Sequence, residues 1–284
     1  MQHLEQTMAG AAGTEIYWQA WLPDGDPRAS LVIAHGFGEH SARYAHVGEK
    51  LAGGGYAVYA LDHRGHGRSQ GKRAMLEQWD RVLEDVGTLI GTARERHPEA
   101  PVFLLGHSLG GAVALSFALR HQDQLAGLAL SGAVSAMEVA SPALRVASKV
   151  LSRVAPGLGV YKVDSALVSR DAEVVRAYDA DPLVHHGKMP ARTAGELTAA
   201  VDAFEAALPG LRIPLLLMHG GDDAIVPPSG TEMVAERAGS DDKTLKLYPG
   251  LYHEILNEPE QDEVIRDLLD WLNAHVRTPA LPPT

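Results

Sequence analysis

Cysteine is absent from the 284 residues, which removes disulfides, thiolate metal sites and a cysteine nucleophile together and leaves the fold to stand on packing. Positive charge is in deficit: 36 acidic against 25 basic residues give a formal charge of -11, and no basic run offsets it. A surface that tracks phosphates is therefore not expected, and nucleic acid is excluded as a partner. No apolar run approaches the roughly 18 residues that cross a bilayer, and Met1 to Gly10 carry neither a positive n-region nor an apolar h-region of a secretory signal. The expectation is a cytoplasmic protein, or one that touches membranes only peripherally. Internal repeats and low-complexity domains are also missing. At this length the chain can hold one large α/β domain with an insertion or two small domains, and its motifs favour the first.

What the chain does contain is an alternation of short apolar runs and helical patterns. Glu15-Ile16-Tyr17-Trp18-Gln19-Ala20-Trp21 is rich in β-formers and closes on Pro23-Asp24-Gly25-Asp26-Pro27, an edge hairpin strand and its turn. Leu31-Val32-Ile33-Ala34 runs into His35-Gly36-Phe37-Gly38, and Ala57-Val58-Tyr59-Ala60-Leu61 runs into Asp62-His63-Arg64-Gly65-His66-Gly67, with a helical pattern from Val47 to Ala52 between them. Continuous apolar runs of this length fit strands buried on both faces of a parallel sheet. A helix from about Leu76 to Arg96, a strand over 101–105, a helix from Gly111 to about His121 and a strand over 125–130 extend the βαβ rhythm. From Ser135 to about Gly195 it stops: no buried strand is evident, and helical stretches are interrupted by Pro142, Pro156, Pro182 and Pro190. It resumes with a strand over 213–218, a helix from about Ser229 to Ala238, a strand from Thr244 to Leu247 and a helix from about Glu260 to Val276. The expected organisation over 1–284 is a core of 11–134 and 196–276, a helical cap over about 135–195 laid across the C-terminal strand ends, and a frayed tail from Thr278.

Gly106-His107-Ser108-Leu109-Gly110 falls where the strand over 101–105 turns directly into a helix. Such a turn holds its central serine in a strained conformation over the sheet edge, and the flanking glycines let the two backbones pass closely. A hydroxyl is a poor nucleophile at its own pKa, so the arrangement calls for a histidine and an orienting carboxylate elsewhere. Both occur at later strand ends, where open α/β sheets bind ligands: His219-Gly220-Gly221-Asp222-Asp223 and Tyr248-Pro249-Gly250-Leu251-Tyr252-His253-Glu254. The order serine, acid, histidine is the one that accompanies this elbow. Ser108, Asp223 and His253 are the catalytic candidates, with Asp222 as the competitor for the acid, since a short carboxylate can instead bond turn backbone. His107 is expected to point away from the serine oxygen. The amides of Leu109 and Phe37 are the candidate oxyanion donors. Asp62 to Ser69, rich in arginine and histidine, lacks a P-loop lysine-serine pattern and reads as a structural loop.

His35-Gly36-Phe37-Gly38-Glu39-His40-Ser41-Ala42-Arg43-Tyr44, Asp62-His63-Arg64-Gly65-His66-Gly67-Arg68-Ser69, Gly106-His107-Ser108-Leu109-Gly110-Gly111 and Tyr252-His253 together resemble the monoacylglycerol lipases of the serine α/β-hydrolase superfamily. In the cap, Ser169-Arg170-Asp171, Val174, Tyr178 and Asp181-Pro182-Leu183 carry the same resemblance, which covers nearly the whole chain. It implies the α/β-hydrolase fold, a mostly parallel eight-stranded sheet flanked by helices with a helical cap inserted after the sixth strand. It implies cleavage of monoacylglycerols to glycerol and a fatty acid through an acyl-enzyme, without metal or other cofactor. It supports Ser108, Asp223 and His253 as triad and Phe37 and Leu109 as oxyanion donors, and sets Tyr178 near the polar end of the substrate. Lysophospholipase-like relatives share the pattern, so a lysophospholipase or broad esterase is the alternative within enzymes. A non-catalytic lipid-binding protein on the same scaffold is the alternative of another class. Dehalogenation is disfavoured, because that chemistry needs a carboxylate where this elbow carries serine.

One charge pattern stands apart from the resemblance. Between Ser135 and Gly195 there are eight basic and six acidic residues, a net of +2 against -13 for the remainder. Arg145, Lys149 and Arg153 recur every fourth residue beside Leu144, Val146, Ala147, Val150, Leu151 and Val154. A helix of this composition can lay its apolar side in a lipid interface while its cations meet anionic headgroups, so peripheral membrane contact through the cap is an expected partner interaction.

Overall fold

A computed structural model describes residues 1–136 and 150–276. The strands are β1 (Gln2–Ala9), β2 (Glu15–Leu22), β3 (Ala29–Ala34), β4 (Tyr56–Leu61), β5 (Val102–His107), β6 (Gly127–Ser131), a short separate pair β7 (Gly159–Tyr161) and β8 (Met189–Pro190), then β9 (Leu215–Gly220) and β10 (Lys243–Tyr248). Eight of them form one sheet in the order β1-β2-β4-β3-β5-β6-β9-β10. Pairings involving β2 are antiparallel, and all others in this sheet are parallel.

The continuous apolar runs divide by pleat. Val32, Leu104 and Leu217 face a cluster with helices α2 (Trp79–Arg96) and α3 (Leu109–His121), while Leu31, Ile33, Phe103, Leu105 and Leu216 face a second with α1 (Ala45–Gly53) and the helix Gln261–His275. Successive side chains of a strand point to opposite faces. With helices on both, most positions must be apolar, and the strand residues of β3 and β5 are all buried.

Two expectations change. The strand over 15–21 is not at the edge, because β1 pairs outside it along its whole length. β1 is exposed at most positions, so it has no apolar alternation to betray it; backbone pairing with β2 makes it a strand. The segment after β6 also contains strands, β7 and β8, each only a few residues long. The boundary expected at 195 falls inside the helix Ala191–Val201. Of the cap pattern, residues 150–154 are helical, with Val150 and Val154 exposed; Leu144, Arg145, Val146, Ala147 and Lys149 lie outside the described residues, as does the tail from Thr278.

The segment between β6 and β9 lies against the C-terminal strand ends. The His185 amide donates to the Gly38 carbonyl at 2.7 Å, and the Glu254 amide to the Val168 carbonyl at 2.8 Å. Ser169 Oγ–H donates to the Asn257 carbonyl at 3.1 Å, and Arg170 Nε–H to Glu258 Oε2 at 2.8 Å. No helix of the described residues is long and apolar enough to cross a membrane.

The packing that decides the site is that of α3 on β3 and β5. A Cβ at Gly110 would stand 2.1 Å from the Ala34 carbonyl oxygen and 2.3 Å from that of His35, and one at Gly106 would stand 2.4 Å from the Gly110 carbonyl oxygen. These obstacles are backbone and cannot rotate aside. Gly110→Ala is therefore expected to lower the unfolding free energy by about 3 kcal/mol or more, at or beyond the upper end of ordinary overpacking. A urea midpoint equal to that of the unaltered chain would contradict this packing.

Candidate active site

Parallel strands deliver the residues that follow them to a single rim. Phe37 follows β3, Ser108 follows β5, Asp223 follows β9 and His253 follows β10, so residues far apart in sequence meet without further adjustment. Ser108 occupies φ 54°, ψ -120° between β5 and α3, a region that non-glycine residues adopt only under constraint. Its backbone is held at both ends: its amide donates to the Ser131 carbonyl at 3.0 Å, and its carbonyl accepts from Gly111 at 2.9 Å and Val134 at 3.0 Å.

Ser108 Oγ lies 2.9 Å from His253 Nε2, and His253 Nδ1 lies 2.7 Å from Asp223 Oδ2. A carboxylate only accepts, so Nδ1 carries the proton and Nε2 is free to receive the serine hydrogen. Burial favours the neutral acid at Asp223, yet hydrogen bonds from His219 and His253 outweigh it and hold the carboxyl well below the usual range. Asp223 Oδ1 also accepts the amides of Ile225 and Val226, each at 2.9 Å. Asp222 is exposed and contributes its amide to the Leu251 carbonyl at 3.0 Å; Asp223 is the acid brought to the imidazole.

The Leu109 amide is the first of α3, one of the donors a helix cannot satisfy internally. Phe37 and Leu109 both line, with Ser108, a cavity of about 470 Å3 whose other walls include Val134, Val163, Leu197 and Ile225. Its size lies in the range of roughly 300–1,000 Å3 common to small-molecule sites. A much smaller cavity of about 30 Å3 opens on the same serine and is bounded by Glu39, Tyr178, His253 and Glu254. The serine thus stands between an apolar chamber and a small recess whose walls also include Val163, Val168 and Ile225. Tyr178 is buried, with the Arg43 guanidinium 4.8 Å from its ring centre.

A family model described as serine aminopeptidase, S33, matches residues 25–260. A monoacylglycerol lipase of Mycolicibacterium smegmatis is 45% identical over 96% of this chain and 98% of that protein. The human monoglyceride lipase is 35% identical over 97% of this chain and 93% of its own length. The chain belongs to the monoacylglycerol lipase family of α/β-hydrolases, and it is an ester hydrolase. Among solved structures, the monoacylglycerol lipase of Paleococcus ferrophilus superposes with a TM-score of 0.82 at 32% identity, covering 92% of this chain and 99% of that one.

Other residues of this family member take places that sequence reasoning expected or passed over. His107 donates to the Ser131 carbonyl at 2.9 Å, away from the Ser108 hydroxyl, but its ring also packs on His253 with centres 4.8 Å apart. His219 was only a strand-end residue in the sequence; its Nε2–H reaches the Val226 carbonyl at 2.8 Å and Asp223 Oδ2 at 3.1 Å, while Thr231 donates to its Nδ1 at 2.7 Å. The loop from Asp62 to Ser69 is structural: Asp62 accepts the amides of Ser41 and Arg68, both at 2.7 Å, and Ser69 Oγ–H closes on its carbonyl at 2.6 Å. Glu39, Arg43 and Glu254 form a buried ion cluster, for which only the adjacent motif residues gave a signal. Among the described residues no group of three or more histidine, aspartate or glutamate side chains could hold a metal ion.

Beneath Phe37 lie three histidines in mutual contact, His35, His63 and His66. Burial lowers His35 well below its ordinary value, His63 to about 4 and His66 to about 3, and it lowers His107 to about 4. His63 Nδ1 and His66 Nε2 have no hydrogen-bond partner among the described residues, so a proton there meets no acceptor. The unfolded chain binds protons below about pH 6.5 while these rings stay neutral, so stability falls as pH drops from there toward about 4. His63, His66 and His107 are each expected to remove about 2 kcal/mol by pH 5. Urea unfolding at pH 7.5 and 5 measures it; equal free energies at the two values would refute neutral burial of the cluster.

Proposed function

We propose that this chain hydrolyses monoacylglycerols to glycerol and a free fatty acid, with Ser108, His253 and Asp223 as its catalytic triad. The observation that carries the proposal is the position of the Ser108 hydroxyl, 2.9 Å from an imidazole nitrogen and common to an apolar chamber and a small recess beside Tyr178. An acyl chain fits the first; the second, at about 30 Å3, is about the volume of one water molecule and admits one hydroxyl of the glycerol head beside Tyr178.

Ser108 Oγ attacks the ester carbonyl carbon as its proton passes to His253 Nε2. The carbonyl oxygen takes the negative charge and is met by the amides of Phe37 and Leu109, fixed dipoles that need no reorganisation. Asp223 keeps the imidazole in the required tautomer and stabilises its charged form. Collapse breaks the bond to the alcohol oxygen, which takes the proton from His253 and leaves as glycerol. Water then gives a proton to His253 and attacks the acyl carbon; the Ser108 oxygen departs, recovers that proton, and the fatty acid is released. Presence of all three groups in bonding range argues against a scaffold that only binds lipid.

The segment over about 135–195 acts in this proposal as a cap that borders both cavities, through Val163 and Tyr178. Its outer side exposes Val150, Val154 and Leu158, with Val154 at 74%. Tyr161, itself exposed, belongs to this side and also lines the chamber. That continuity fits an apolar patch resting on a lipid surface while substrate passes beneath it.

A fluorophosphonate probe is expected to label the unaltered chain and not Ser108→Ala, and the same change is expected to lower kcat on monooleoylglycerol by a factor on the order of 10,000 or more. Labelling that survives in Ser108→Ala would end the proposal, and a rate on lysophosphatidylcholine well above that on monooleoylglycerol would move it to a lysophospholipase. For the patch, Val154→Asp with Leu158→Asp is expected to slow hydrolysis of monooleoylglycerol in vesicles by roughly tenfold while sparing a short soluble ester. Equal rates on vesicles would remove the membrane contact.

A further inference from the structure

Below the oxyanion turn lies a charge cluster that the acyl-transfer steps leave unused. Glu39 and Arg43 follow β3, and Glu254 follows His253; their side chains are 3%, 11% and 6% exposed. Arg43 donates through both terminal nitrogens to the two oxygens of Glu254, each at 2.7 Å, and through Nη1 to Glu39 Oε2 at 3.0 Å. Glu254 Oε2 also accepts from Asn257 Nδ2 at 2.9 Å. The remaining oxygen of Glu39 accepts the Gly36 amide at 2.6 Å and the Tyr44 hydroxyl at 2.8 Å.

Stability alone is a poor reason to keep such a cluster. Two carboxylates and one guanidinium out of water carry a desolvation penalty that their attraction does little more than offset, and apolar replacements of buried ion pairs are often neutral. The geometry supplies a better one. Bonding the Gly36 amide to Glu39 fixes the backbone immediately before Phe37, whose amide is the next donor along the turn. The same guanidinium grips Glu254, the neighbour of His253, and covers Tyr178 of the cap. A bidentate fork is the group suited to setting two carboxylates at a fixed separation.

We infer that Glu39 and Arg43 are positioning residues: Arg43 ties the Glu39-held oxyanion turn to the Glu254-bearing histidine loop, so that the Phe37 amide and the His253 imidazole address one tetrahedral carbon together. The inference rests on the serine-hydrolase reading above. Burial opposes the charged forms of Glu254 and Arg43, but their ion pair prevails, holding Glu254 below and Arg43 above their ordinary values, in keeping with a pair that stays ionised throughout turnover.

The test measures kcat per fluorophosphonate-titrated active site and KM on a soluble short-chain nitrophenyl ester, with affinity for an alkylboronic acid as a tetrahedral mimic. Glu39→Leu removes the acceptor for Gly36 and is expected to lower kcat on the order of 100-fold, to weaken boronate binding in parallel and to leave KM within about twofold. Glu39→Gln keeps the acceptor for Gly36 but sets an amide NH2 against the Arg43 guanidinium, and is expected to recover only part of that loss. A kcat undiminished in Glu39→Leu, a loss confined to KM, or an equally deep loss in Glu39→Gln overturns the inference. Where Glu39→Leu does not fold, Arg43→Lys decides: it keeps the charge but cannot span both carboxylates, and an unchanged kcat there overturns the inference as well. Failure of the unaltered chain to cleave the ester defeats the serine-hydrolase reading itself.

Discussion

The backbone of Ser108 is the constraint on which the rest of the site depends. A non-glycine residue at φ 54°, ψ -120° stores on the order of 1–3 kcal/mol, and such a conformation persists only when its surroundings leave no alternative. Here the surroundings are rigid. β5 is pinned between β3 and β6 in the middle of the sheet, α3 begins at the next residue, and the two pass so closely that only glycine fits at 106 and 110. Straightening the elbow would pull a helix off a sheet whose facing residues are fully buried. The strain therefore cannot relax locally, and the hydroxyl is held 2.9 Å from the imidazole.

Electrostatics at the rim follow from the same crowding. Asp223, Glu39 and Glu254 lie near the imidazole of His253 with one buried arginine among them, so the surroundings carry excess negative charge. That is the sign required beside a ring that must become cationic in the transition state. The histidines around it answer oppositely: His35, His63, His66 and His107 are pushed toward neutrality by burial. Positive charge is thereby discouraged in the packing rings, while Asp223 directly supports it on the one ring whose protonation the chemistry uses.

The legibility of these features in the sequence tracks how local each one is. Strands covered on both faces announce themselves as continuous apolar runs, and the elbow by glycines at fixed spacing around a serine; Asp223 and His253 follow because strand ends in a parallel sheet share one rim. β1 was not legible, since a strand with both faces largely exposed has no burial pattern and takes its form from pairing with β2. β7 and β8 are too short to carry a period. The Glu39–Arg43–Glu254 cluster joins residues up to 211 positions apart, and nothing at either end marks a charge as buried. His219 sits at the end of a strand full of apolar neighbours, where its bonds to Asp223 and Thr231 depend on a helix contributed further along the chain.

Those long-range contacts change what the segment between β6 and β9 can be. It borders the chamber through Val163 and the recess through Tyr178, but it also holds the turn after β3 directly. The His185 amide bonds the Gly38 carbonyl at 2.7 Å, His40 Nε2–H donates to Asp181 at 2.8 Å, and the Arg43 guanidinium lies over the Tyr178 ring. A cover that merely excluded water would need none of these bonds to the turn. Because the turn residues and the recess wall share them, a displacement of Tyr178 is felt at Arg43, and through Glu39 at the backbone preceding Phe37. In the proposed reaction, recognition of the polar head and orientation of the donors would thus be two consequences of one set of contacts, and a head group that seats poorly against Tyr178 would bear on the geometry of catalysis as well as on binding.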